Sequence, residues 1–182
     1  MNHRQHALFV LAIYCGIRRG ELLGLKWSDI DFDNNRLGIR QILAFKSKIK
    51  DGAKTKTSNR SIKMSPFVAS ELKKHKEQQE EEKMKADEYF DKNLVFCQEN
   101  GLPVSWGNFH KFWVRILEKT KVRAIRFHDL RHTCASLLLS AEVHPKKVQE
   151  LLGHASIKVT LDTYSHLIPN MQEEVASKMD SY

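Results

Sequence analysis

Residues 127–136 read "FHDLRHTCAS" and put His128, Arg131 and His132 within five consecutive positions. Around these charges the apolar residues keep helical spacing. Leu130, Cys134, Leu137, Leu138 and Ala141 fall on one predicted buried face. His128 and Arg131 are three apart, so they share a helix surface. They also stand where that helix begins, and the backbone N–H groups and dipole at a helix N-terminus favour an anion. The stretch describes a core helix whose first turn presents cations to something negative.

The flanking sequence extends the helical pattern. Residues 105–120 place Phe109, Phe112, Trp113, Ile116 and Leu117 on one face. Downstream, Pro145 opens a short helix as a first-turn proline. Val148, Leu151 and Leu152 face inward from it, and Gly153 ends it. A helix from about Ser156 carries Tyr164, and a tail helix after Pro169 lines up Met171, Val175 and Met179. Upstream, residues 4–26 predict two helices marked by Leu8, Leu11, Ala12, Leu22 and Leu23, with a bend at Gly16 and Gly20. Residues 29–43 alternate around an Asn34–Asn35 turn and read as strand, followed by a basic loop or hairpin over 44–60 and a returning strand at "SIKM". Residues 66–88 begin at Pro66 and read as a solvated helix laced with ion pairs. "NLVFCQENGLPVS" reads as a short strand and a turn at Gly101.

The totals narrow the class. A chain of 182 residues with 41% hydrophobic content suits a folded domain with a substantial core. No run of about 18 apolar residues suggests a membrane span. Three widely spaced cysteines, Cys15, Cys97 and Cys134, argue against a disulfide framework or a cysteine zinc site and fit a reducing cytoplasm. Thirty Lys and Arg against 22 acids, a net charge of +8, favour a polyanionic partner.

Two familiar chemistries lack support. "DIDFD" places Asp29, Asp31 and Asp33 like a calcium loop, but Asn34 stands where the loop needs glycine and Arg40 where it needs glutamate. No P-loop motif is present. What remains is a set of cations and one tyrosine. Singly, each has an ordinary reading: His128 as a helix cap, Arg131 in a surface ion pair, His154 as a helix-end residue. Together they describe a phosphate site that needs neither metal nor cofactor. Two arginines clamp phosphate oxygens, a lysine protonates a leaving oxygen, histidines move protons, and a tyrosine serves as nucleophile.

Read in order, these motifs resemble the tyrosine recombinase, or phage integrase, family over nearly the whole chain. "GIRRGELLGLKWSDID" resembles the first arginine box and maps it onto Arg18. "KTKTSNRSIKM" resembles the β-hairpin lysine segment, mapping best onto Lys56, with Lys54 the alternative on the same face of an extended strand. "HDLRHTCAS" matches the His-x-x-Arg box at His128 and Arg131, and "LLGHASIKVTLDTYSHL" matches the last box at His154 and the nucleophile Tyr164. The resemblance implies an α+β fold, mainly helical with a small antiparallel β-sheet, acting as a recombinase catalytic domain over residues 1–182 without the family's N-terminal core-binding and arm-binding domains. It implies double-stranded DNA as partner, contacted also by Arg19, Lys54 and Arg60, and a homotetramer on DNA joined through the tail helix. Glu21 would orient the basic cluster. A tyrosine ionises near pH 10 in water, so cationic surroundings are expected to favour Tyr164 in its ionised form. A type IB topoisomerase-like enzyme shares this chemistry, but the "LGH…Y" spacing and short length favour the recombinase. A non-catalytic DNA-binding module leaves the intact residue set without a purpose. A metal-free ribonuclease using His128, His154 and Lys56 leaves Tyr164 and both arginines unexplained.

Overall fold

The computed structural model describes residues 5–44, 49–51, 59–165 and 179 of the chain. Its first helix, α1 (His6–Tyr14), is apolar on nearly every side and buries Ala7, Leu8, Val10, Leu11 and Ala12, as befits a helix in the middle of a domain. It packs between α3 (Pro66–Lys85) and α5 (Asp129–Ser140). The bend predicted after α1 falls at Gly16, whose φ is +58°, a region that favours glycine. A Cβ there would lie 2.5 Å from Leu152 Cδ2 and 3.2 Å from Cys134 Sγ. Past this turn, α2 (Arg19–Gly24) buries Glu21, Leu22 and Leu23.

The strands follow the predicted alternation. β1 (Ile30–Asp31), β2 (Arg36–Ile39) and β5 (Arg60–Lys63) form an antiparallel sheet in the order β1-β2-β5. β3 (Gln41–Leu43) pairs with β4 (Ile49–Asp51) in a second ladder and packs under α2. Leu37 faces Ile62 across the first sheet, and both are buried with Ile39 on its inner side. Asn35 takes a φ of +47° in the β1–β2 turn. Asp31 accepts the Asn34 N–H there, and Asp29 accepts the Lys26 N–H below it, so two of the "DIDFD" carboxylates serve local turns.

α3 starts at a Ser65 cap that accepts the Val68 N–H, with Pro66 behind it. The helix expected to be a solvated one is amphipathic. Ion pairs Glu71–Lys74 and Glu81–Lys85 decorate it, while Val68, Ala69, Leu72, His75 and Gln79 are buried. α4 (Trp106–Thr120) buries Phe109 and Trp113, whose rings meet Phe127 edge-on at 4.9 and 5.3 Å. Phe127 thereby fixes the entry into α5.

On α5 the buried stripe differs from the expected one. Leu137 is 59% exposed and Ala141 is exposed as well, while Arg131, Cys134, Ala135 and Leu139 are buried. Residues 137–139 are all leucine, so apolar spacing alone cannot choose the phase. The helices packed on either side choose it, and they turn Arg131 inward. α6 (Pro145–Leu152) and α7 (Ile157–Tyr164) close against α5, and Ala135, Leu139, Val148, Leu152 and Tyr164 form a second apolar cluster. Gly153 ends α6 with a φ of +65°. The architecture is α+β and mainly helical, as predicted. Among the described residues no helix is long and apolar enough to cross a membrane. Lys54, Lys56 and the segment 166–178 lie outside the described residues.

Gly16→Ala must hold a side chain at positive φ against Leu152. It is expected to lower stability by about 1–3 kcal/mol, read as a reduced urea midpoint. An unchanged midpoint would show that the turn is not constrained in this way.

Candidate active site

Four chain segments converge at the ends of α2, α5, α6 and α7. Arg131 is only 3% exposed. Its Nη1 donates to the Gly16 carbonyl at 2.7 Å and its Nη2 to the Leu152 carbonyl at 2.6 Å. One buried guanidinium thus joins the α1–α2 turn to the end of α6. A guanidinium carries five N–H donors, so two go to the protein's own carbonyls and the rest remain for a ligand. Burial, and then the like charge of Arg18, disfavour its charged form. It stays protonated at neutral pH because a guanidinium begins so far above it.

Arg18 directly precedes α2 and stays 38% exposed. It donates through Nη1 to Glu21 Oε1 at 3.0 Å and through Nη2 to the Gly153 carbonyl at 3.2 Å. Its own backbone N–H is accepted by Glu21 Oε2. Glu21 also takes both Nη groups of Arg60, at 3.0 and 2.9 Å. Burial pushes the Glu21 carboxyl upward, but the hydrogen bonds and charge of Arg60, then those of Arg18, outweigh it and hold the group ionised. Glu21 therefore orients the cluster, as the sequence suggests.

Arg60 is held inside the protein. Its side chain is 8% exposed, paired bidentately with Glu21, and its Nε donates to the Leu151 carbonyl at 2.9 Å. It ties β5 to α6, and a buried carboxylate 39 positions upstream holds its fork. Arg19 keeps an open edge. Its guanidinium lies 3.8 Å above the Trp106 ring, on the wall of a cleft of about 1070 Å³ shared with Arg18, Arg126 and His128.

His154 follows the Gly153 stop and is held from two sides. Its Nδ1 is 2.9 Å from Thr160 Oγ1, and its carbonyl accepts from Gln149 Nε2 at 2.6 Å. Burial, then the charges of Arg131 and Arg18, push its imidazole down to about 4, so it is neutral at pH 7. His128 caps α5 through the backbone and keeps an exposed ring. Burial, then His132 and Arg131, push it down as well.

Tyr164 ends α7 with 4% exposure, and its hydroxyl lies 2.6 Å from His132 Nδ1. The surroundings do not favour its ionised form, contrary to expectation. Burial raises the phenol, and with the neighbouring Cys134 it outweighs the lowering by Arg131. Arg18, His128, Arg131, His154 and Tyr164 are thus brought together, and Lys54 and Lys56 lie outside the described residues. Sequence reasoning passed over His132 and Thr160 as site residues. His132 left a signal, since position i+4 from His128 lies on the same helix face. Thr160 left none.

A family model described as the phage integrase family matches residues 1–171. A XerC-like tyrosine recombinase of Caldanaerobacter subterraneus subsp. tengcongensis is 37% identical over 98% of this chain and 50% of its own length. The ICEBs1 integrase of Bacillus subtilis is 29% identical over 94% of this chain and 47% of its own. The chain spans about half the length of these curated relatives. Among solved structures, the Tn1549 transposon integrase in complex with a circular intermediate DNA shares the fold, with a TM-score of 0.79 at 22% identity over 98% of this chain and 59% of that one. The XerH site-specific recombinase bound to a palindromic difH substrate superimposes with a TM-score of 0.65 at 27% identity, over 98% of this chain and 46% of that one.

The depressed His154 value has a signed consequence. The unfolded chain binds that proton first, so the stability tied to neutral His154 is complete above about pH 6.5 and is lost as pH falls toward 4. An NMR titration is expected to give a His154 midpoint near 4, with the thermal midpoint falling over the same interval. A His154 midpoint between 6 and 7 would contradict the burial argument, taking about 6.5 as the ordinary imidazole value.

Proposed function

The chain belongs to the phage integrase family, and on that premise we propose that residues 1–182 are the catalytic domain of a site-specific DNA recombinase. It serves the integration or excision of a phage or other mobile element, in a cytoplasm, without metal, cofactor or ATP. The observation that carries this reading is the meeting of Arg18, Arg131, His154 and Tyr164 from four separate segments. The XerH structure is a post-cleavage complex with its DNA substrate, and this chain shares that fold.

In this mechanism the scissile phosphate sits between Arg18 and Arg131. Arg18 has partial exposure to receive it, and Arg131 supplies N–H donors fixed by packing. Tyr164 attacks phosphorus and forms a 3′-phosphotyrosyl bond, and the 5′-oxygen leaves with a proton from Lys56, or from Lys54 in its place. His128 and His154 hydrogen-bond the phosphate. A neutral His154 can donate one N–H without opposing the arginines. The covalent bond keeps the energy of the phosphodiester, so the 5′-hydroxyl of another strand can rejoin it. Positioning and charge stabilisation supply most of the catalysis. Arg19 and Lys54 contact the DNA backbone. The active assembly is a homotetramer holding two duplexes, joined through the C-terminal tail after Pro169.

Tyr164→Phe removes one hydroxyl and should leave the fold and DNA affinity nearly unchanged. On a nicked DNA carrying the element's own site, the wild-type chain is expected to give a covalent adduct on denaturing gels, and Tyr164→Phe none. An adduct of normal yield from Tyr164→Phe would refute the assignment.

A further inference from the structure

Tyr164 is a poor nucleophile as it stands. Its hydroxyl is buried, and burial raises its ionisation against the pull of Arg131. The proton must go to a nearby group as attack begins. His154 has its Nδ1 committed to Thr160, and the exposed His128 ring contacts His132 edge-on at 5.0 Å. The imidazole that touches the phenol is His132. Its Nδ1 is 2.6 Å from the hydroxyl, with ring centroids 5.8 Å apart, a separation suited to proton transfer.

We propose that His132 is a further catalytic residue, the acceptor of the Tyr164 proton through its Nδ1. The inference rests on Tyr164 being the nucleophile, as proposed above. With Nδ1 bare, the phenol O–H donates to it. As the tyrosine oxygen forms its bond to phosphorus, the O–H electron pair stays on oxygen and the proton passes to Nδ1. The bond from phosphorus to the 5′-oxygen breaks, and that oxygen takes its electron pair and the proton of the hairpin lysine. On rejoining, the imidazolium returns its proton to the departing phenolate. The groups around the pair are Arg131, Cys134 and His128 on α5 and His154 before α7.

The position on α5 makes His132 dependable. It follows Arg131, whose two carbonyl bonds fix that turn of the helix. The residue that clamps phosphate and the residue that takes the proton therefore move as one body, and Tyr164 meets His132 from α7.

The test separates proton acceptance from positioning. His132→Asn keeps an acceptor oxygen near the place of Nδ1 but cannot hold a proton there. Adduct formation on the nicked substrate is expected to slow by about 10²-fold, a typical share for general-base catalysis, with thermal midpoint and DNA affinity unchanged. Placing a ring-fluorinated tyrosine at position 164, whose phenol ionises more readily, should then restore most of the rate in His132→Asn. The same replacement should do little in otherwise wild-type protein. A His132→Asn variant as fast as wild type would overturn the proposal. So would a slow variant that fluorotyrosine fails to rescue, which would mark a positioning role only. Selective rescue of His128→Asn, with none for His132→Asn, would move the acceptor to His128. Failure of the underlying assignment is distinguishable, because Tyr164→Phe would then still form an adduct.

Discussion

The guanidinium of Arg131 is the point on which the site depends. It is a buried cation, and a buried charge is costly unless its donors are satisfied. The Gly16 and Leu152 carbonyls satisfy two of them. Both carbonyls are available because the backbone turns at glycine beside them, at Gly16 and at Gly153. The consequence runs outward. The α1–α2 turn brings Arg18 to the same place, the α6 end brings His154, and the first turn of α5, which buries Arg131, also carries His132 to Tyr164. Removing Arg131 would leave two orphaned carbonyls.

A second layer supports the first. Glu21 stands between two arginines and is held ionised by them. It fixes Arg18 at the start of α2 and draws Arg60 inward, so strand β5 is tied to α6 through Leu151. The segment expected to carry the lysine directly precedes this strand in the sequence. Cation balance also matters for protons. Burial, and then the charges of Arg131 and Arg18, keep His154 neutral.

Much of this was legible in the sequence because it is local. Helix stops at Gly16 and Gly153, the Ser65–Pro66 start of α3 and the turn at Asn34–Asn35 are written in residues next to one another. The ordered boxes around Arg18, His128, Arg131, His154 and Tyr164 could be read off as a resemblance. What escaped depends on partners far along the chain. Leu137 lies outward although it belongs to an apolar run, because three consecutive leucines leave the helix phase to its neighbours. Arg60 sits in a basic stretch, and nothing near it reveals a bidentate bond to Glu21. The protonated state of Tyr164 needed the degree of burial at α7, which adjacent residues do not encode. His132 was in plain view beside Arg131, but its contact spans 32 residues.

The account stands most directly on the identity of the atom that joins to DNA. Trapping the chain on a nicked site, digesting the adduct with trypsin and weighing the DNA-linked peptide would identify it. The account predicts that the linked peptide is residues 159–178, in which Tyr164 is the only tyrosine. A linked peptide lacking Tyr164, or a mass that places the DNA on another residue of that peptide, would contradict it.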